Sequence, residues 1–313
     1  ISELPSSMHK LTNMTDLDLR ATRMVRIPVW LGTITELRDL KVADNEWESP
    51  PEAVVQKGTE SILDFLKRVF DAYDTERLDL SELELNRLPL ELLAGTGQYG
   101  HDPPGALIPK LKFLNLSSNL FNVLEAEISD LTALEDLRLS DNGLKEIPPQ
   151  LVLLTNLDTL HVDQNNLLNL PVDIGRLALL RELELSSNAL TFLPESIGQL
   201  HMLEELIVAR NAVNYIPPSV SGLSSLKTLS LERNDLEVLP DTAFKFYVEC
   251  LDLNLAHNKL QHLPTELQYM TSLTRVQVHN NLLVDLPSGL RYEASRENPG
   301  WPIFDGGVGA LTN

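Results

Sequence analysis

Leu134–Pro148 reads LEDLRLSDNGLKEIP, and Leu180–Pro194 reads LRELELSSNALTFLP. The segments align without a gap. Leu134, Leu137, Leu139, Asn142, Leu144 and Ile147 in the first fall on Leu180, Leu183, Leu185, Asn188, Leu190 and Leu193 in the second. Following the asparagine alone gives Asn119, Asn142, Asn165, Asn188, Asn211 and Asn234, each 23 residues after the last. The frame extends beyond this run to eleven units. Ten of them place proline six residues past the asparagine position, as in Pro148, Pro171, Pro194 and Pro217.

A fixed period of about 20–29 residues with this leucine and asparagine spacing resembles the leucine-rich repeat family. The resemblance implies an α/β leucine-rich repeat solenoid, a curved horseshoe. Its concave face is a parallel sheet, and loops and short helical turns cover its convex face. Each Leu-x-Leu segment supplies a short strand. The asparagine turns inward to satisfy backbone groups of its own loop and the neighbouring one, since each such group left unpaired costs about 1–3 kcal/mol. The proline fixes the start of the return path.

A solenoid grows by adding units, so 313 residues need not mean several globular cores. The formal net charge of −20 and pI of 4.7 set the chain against phosphate backbones and anionic membranes. Nucleic acid and membrane insertion are therefore not expected. The single cysteine, Cys250, stands where other units place a core leucine, such as Leu203 or Leu226. It reads as a buried small hydrophobe rather than a nucleophile. With no intrachain disulfide available, a reducing, cytoplasmic compartment is expected. The opening Ile1 to Pro5 reads as the tail of a unit, so the array is expected to begin upstream.

Residues 1–50 hold N-terminal repeats, with Thr22 in the asparagine position of the first unit and Asn45 in that of the second. Residues 51–75 break the period. Thr59 is a candidate N-cap. Ile62, Leu66, Val69 and Tyr73, flanked by Phe65 and Phe70, form one apolar helical face. That helix is expected either to cap a repeat stack or to bind a partner. The run from Asn45 to Leu66, NEWESPPEAVVQKGTESILDFL, resembles a segment of intracellular leucine-rich repeat proteins of the Ras-group class, in which a similar interruption splits the array. The matching residues are Asn45, Pro50, Pro51, Val54, Gly58, Thr59, Ile62, Leu63 and Leu66, whereas Glu46 and Phe65 depart from that pattern.

Residues 76–290 form the main array. Its first unit has Leu83 in the asparagine position, and its second has Glu125 in place of proline. A flexible insertion is expected at 94–106. Gly95, Gly97 and Gly100 there spell G-x-G-x-x-G, but Pro103 and Pro104 follow where a dinucleotide site needs a helix. One late unit is a residue longer, which a turn containing Phe244 and Phe246 can absorb. Residues 291–313 form a cap or docking tail, for which Trp301 and Phe304 are the candidate anchors.

No constellation for catalysis stands out, and no cofactor or metal is expected. His161 and Asp163 lie two apart, with Asp136 one repeat away in the same frame, but an open sheet rarely builds a zinc site. What the frame does expose is a face. Residues six, four, two and one before each asparagine point away from the leucine core. Among them Asp136, Arg138, His161, Asp163, Glu182, Glu184, Glu205, Arg210, Glu232 and Arg233 are the candidate partner-binding residues. Phe113 falls in the same outward set. The stretch from Asp163 to Glu205 is acidic, which suits a basic segment of a protein partner. A non-enzymatic interaction scaffold, with a role in intracellular signalling as the resemblance implies, is the first expectation. The alternative is a structural subunit of a larger complex, held through its convex side, insertion and tail.

Overall fold

The computed structural model describes residues 1–93, 110–244, 247, 249–285 and, for the backbone, 303–305. The whole of the expected insertion 94–106, and the tail apart from 303–305, Trp301 included, lie outside the described residues, as does Phe246. The chain divides into two compact units, 1–142 and 143–313.

In the first unit, β1 (Asp16–Asp18) and β2 (Asp39–Lys41) pair in parallel as a separate sheet. Helices α1 (Glu52–Gln56) and α2 (Thr59–Thr75) follow. Then β3 (Arg77–Asp79), β4 (Phe113–Asn115) and β5 (Asp136–Arg138) pair in parallel order. In the second unit, β6 (Thr159–His161), β7 (Glu182–Glu184), β8 (Glu205–Ile207), β9 (Thr228–Ser230), β10 (Asp252–Asn254), β11 (Arg275–Gln277) and β12 (Ile303–Asp305) form one parallel series in chain order. Phe304 pairs with Val276 through this last strand.

Each strand spans three residues, because a leucine before and after it must also reach the core. Leu180, Leu183, Leu185 and Leu190 are fully buried, as are Leu203, Val208 and Val213 in the same places of the next repeat. The asparagines work as the repeat frame requires. Asn234 Oδ1 accepts the Val213 N–H at 2.9 Å, while its amide nitrogen donates to the carbonyls of Val208 (2.9 Å), Leu231 (3.0 Å) and Glu232 (3.3 Å). Asn119, Asn142, Asn188, Asn211, Asn258 and Asn281 repeat the pattern. Thr22 fills the first position by donating to Asn45 Oδ1 at 2.9 Å. Prolines 28, 148, 194, 217 and 264 each precede a 3-10 turn, with φ between −57° and −68°, the value their ring imposes. Glu125, which replaces one of them, keeps φ at −67° and accepts the Leu88 N–H at 3.1 Å.

One regularity is not visible in residue types. The residue before every asparagine position is left-handed: Ala21, Asp44, Glu82, Ser118, Asp141, Gln164, Ser187, Arg210, Arg233, His257 and Asn280 have φ between 52° and 62°. Glycine would be the default there, yet none of these positions carries it.

Thr59 is not an N-cap. Gly58, at φ 93°, precedes the helix, and Thr59 is its first residue. The Thr59 hydroxyl instead accepts the Leu40 N–H of β2 at 3.0 Å. It thereby satisfies a strand that lacks a second parallel neighbour. Helix α2 buries Ile62, Phe65, Leu66, Val69 and Ala72, so the apolar face is packed within the unit. It lies on the 3-10 turn Val29–Thr33. There Gly32 is required, since a Cβ would stand 2.3 Å from the Lys67 backbone nitrogen. Gly32→Ala should therefore cost about 1–3 kcal/mol through overpacking. Urea unfolding measures this, and an unchanged midpoint would mean that α2 does not lie against that turn.

Candidate functional site

The second unit presents the face on which most candidate residues sit. Leu160, Leu183, Leu206 and Leu229 stand in register and point into the core. Side chains alternate along a strand, so their neighbours turn the other way. Thr159 pairs with Glu182 and Glu182 with Glu205; His161 pairs with Glu184 and Glu184 with Ile207. All of these are half-buried. Parallel strands stand about 4.8 Å apart, which crowds carboxylates onto three neighbouring strands.

The electrostatics follow from that crowding. His161 Nε2 meets Glu182 Oε1 at 2.9 Å. Burial pushes the Glu184 carboxyl above the ordinary range; hydrogen bonds from Ser186 oppose this, and the Asp163 charge adds to it. Burial likewise raises Glu205, and the charge of Glu182 raises it further. Of the side chains acting on these two, Asp163 and Glu182 disfavour the carboxylates and His161 favours them. Asp163, Glu182, Glu184 and Glu205 make the side chains of this stretch predominantly acidic.

The remaining candidates are placed differently. Asp136 and Arg138, in the first unit, neutralise each other through two hydrogen bonds of 3.1 Å. Glu232 and Arg233 pair at 3.1 Å. Arg210 is exposed, on one of the left-handed corners. Phe113 does not project freely as its position in the frame suggests. It is 8% exposed, because the Arg77 guanidinium lies 3.8 Å over its ring and Arg138 stands 5.4 Å away. Arginine stacks on aromatic faces in this way.

A second charged feature, one position before each strand, did not emerge from the sequence reading. Asp158, Arg181, Glu204 and Lys227 alternate in sign along the second unit. Arg181 bonds Asp158 at 3.2 Å and Glu204 at 2.6 Å, and Lys227 also pairs with Glu204. The bound Lys227 ammonium holds the Glu204 carboxyl below the ordinary range, with Arg181 adding to it. The signal was available, since these four residues keep the 23-residue step of the asparagines. This edge is internally neutral, unlike the face beside it.

Cys250 is buried, and burial pushes its thiol up to about 12, so it is inert at neutral pH. Among the described residues no group of three or more His, Cys, Asp and Glu is arranged to hold a metal ion. No described helix is long and apolar enough to cross a membrane.

Family models agree with this architecture. A leucine-rich repeat region matches residues 85–189, and leucine-rich repeat models match 179–200 and 224–283. Among solved structures, the chain is similar to a leucine-rich repeat protein of Leptospira interrogans, at 28% identity and a TM-score of 0.63, covering 93% of this chain and 67% of that one. It is also similar to the leucine-rich repeat ectodomain of the membrane receptor kinase GASSHO1/SCHENGEN3 of Arabidopsis thaliana, solved in complex with Casparian strip integrity factor 2. Identity there is 25% and the TM-score 0.56, covering 93% of this chain but only 30% of the receptor chain. An internalin of Listeria monocytogenes shares the fold at 19% identity and a TM-score of 0.57, over 91% of this chain and 73% of that one. With its amide ladder, its buried leucine columns and these matched segments, the chain is a leucine-rich repeat protein.

Proposed function

We propose that this protein is a non-enzymatic scaffold that captures a basic segment of a protein partner on the open sheet face of its second unit. One observation carries the reading: Glu182 and Glu205 stand in register on adjacent strands, half-buried, with Glu184 and Asp163 beside them. A lysine or arginine laid across β6–β8 would relieve like-charge repulsion and desolvation together. Complementary charge of this kind speeds encounter and fixes register. Leucine-rich repeat proteins commonly bind protein partners, and one similar structure was solved in complex with Casparian strip integrity factor 2. The resemblance of residues 45–66 to the Ras-group class makes intracellular signalling in the cytoplasm the setting we favour. A buried, unreactive Cys250 suits that compartment.

The test is affinity capture from a cell extract with mass spectrometry, comparing the natural chain with a triple Asp163→Lys, Glu182→Lys, Glu184→Lys variant. The variant should lose partners that the natural chain retains, while its thermal midpoint is not lowered. Identical capture by both chains would remove this face from consideration.

A second reading is a structural subunit held through another surface. Its support is a run of exposed apolar residues four places past the asparagine in successive repeats: Phe192 (43% exposed), Tyr215 (49%) and Val238 (72%). Capture that survives the triple reversal but fails on Tyr215→Asp would favour it.

A further inference from the structure

Strands β10 and β11 run side by side, with Asp252 opposite Arg275 and Asn254 opposite Gln277. Just past them the His257 N–H still donates to the His279 carbonyl, at 2.9 Å. His257 and Asn280 occupy the same left-handed corner of successive repeats, with φ of 56° and 54°. His279 precedes Asn280 directly. The two imidazoles meet edge to face, with centroids 5.1 Å apart and planes at 81°. Asn280 Nδ2 lies 3.2 Å from His257 Nε2. For the amide to donate there, Nε2 must carry its lone pair and Nδ1 the proton.

We propose that His257, His279 and Asn280 bind one late first-row divalent metal ion of the zinc or copper type. A side-chain amide can turn over to offer oxygen where nitrogen now stands. The trio then provides two imidazole nitrogens and one oxygen from adjacent repeats. Tetrahedral zinc with N–metal bonds of about 2.0–2.1 Å sets its donor atoms about 3.3 Å apart. The 3.2 Å between His257 Nε2 and the Asn280 amide matches that spacing. The same geometry places two ligating imidazole centroids about 5 Å apart, as they stand here. Both histidines are half-buried and Asn280 is exposed, so an ion reaches them from solvent and water completes its shell. Two arginines of the flanking repeats are engaged in ion pairs: Arg233 is held by Glu232 at 3.1 Å and Arg275 by Asp252 at 3.2 Å. Imidazole donors select zinc, copper or nickel over magnesium and calcium. Protons compete for the same lone pairs, so binding weakens on acidification.

The site lies apart from β6–β8, so its fate is independent of the scaffold reading. The test titrates the untagged full chain with zinc chloride at neutral pH, by calorimetry and by the NMR signals of the histidine rings. We expect one equivalent bound, with the His257 and His279 signals moving together. His257→Ala and His279→Ala should each weaken binding at least about tenfold. Asn280→Asp, which puts a carboxylate where the amide is, should tighten it about tenfold. These three positions lie outside the core, and circular dichroism checks that each variant stays folded. Undiminished affinity in both histidine variants would overturn the proposal, as would no binding at millimolar zinc. So would loss of the site on His161→Ala or His262→Ala, which would move the ion to Glu182 or Asp285.

Discussion

Asn234→Ala should lower the stability of the second unit by about 2–4 kcal/mol, chiefly because it strands one buried donor. The Val213 N–H has Asn234 Oδ1 as its partner at 2.9 Å, in a place that water does not reach, since Asn234 is itself 7% exposed. The carbonyls suffer less. Val208 also accepts from Asn211 and Leu231 also accepts from Asn258, so each keeps one amide donor when Asn234 is gone. The expected cost is therefore nearer to one orphaned group and a small void than to four lost bonds. Asn234→Asp separates the two halves of the side chain. It preserves an acceptor for Val213 but turns carboxylate oxygen toward the carbonyls of Val208 and Leu231, and should cost at least as much as alanine at neutral pH. Exposed Asn214, three residues past the preceding ladder position Asn211, is the control: Asn214→Ala should stay within about 0.5 kcal/mol. Urea unfolding gives the magnitudes, and amide exchange locates them, because a repeat array loses stability mainly between nearest neighbours. If Asn234→Ala and Asn214→Ala prove equal, the amide ladder is not what joins these repeats.

The ladder was legible because one chemical demand recurs unchanged. Only an uncharged amide can accept from the preceding repeat and donate to carbonyls of that repeat and of its own, so the residue type itself marks every position but those of Thr22 and Leu83. The left-handed corner before it recurs just as faithfully but leaves no mark. Ala21, Ser187, Arg210 and His257 all adopt it, since the constraint falls on the backbone and the side chain is free. Context also defeated two local readings. Thr59 has the residue type of an N-cap, but the nearest unsatisfied donor is the Leu40 N–H across the turn, not a helix terminus. Phe113 sits on an outward position, and which side chains would cover it depended on Arg77 and Arg138 arriving from strands 36 residues before and 25 after. On the sheet face, the alternation of leucine and carboxylate gave the identities of Glu182, Glu184 and Glu205. It could not give their balance, because the arginines that might have neutralised them pair elsewhere: Arg233 with Glu232, and Arg181 with Asp158 and Glu204.

Leu183→Ala and Glu184→Ala, one residue apart, should differ by an amount that decides the facing of the whole strand. Leu183 is fully buried, between Leu160 and Leu206 in register on either side. Truncating it should cost about 2–5 kcal/mol, the range for leucine removed from a packed core. The upper part of that range is the better expectation. The columns of leucine above and below are fixed by their own strands and cannot collapse into the space. Glu184 faces the other way and is hydrogen-bonded by Ser186, whose N–H donates to it at 2.8 Å. Against that bond stand its burial and the nearby charge of Asp163, both of which disfavour the carboxylate. Removing it gives up the bond and relieves both penalties, so the net change should stay under about 0.5 kcal/mol. Thermal unfolding of the two variants, made in parallel, reads the difference directly. Comparable losses would mean that leucine and glutamate share the interior. The carboxylates would then not form a surface, and no partner could be recruited through them.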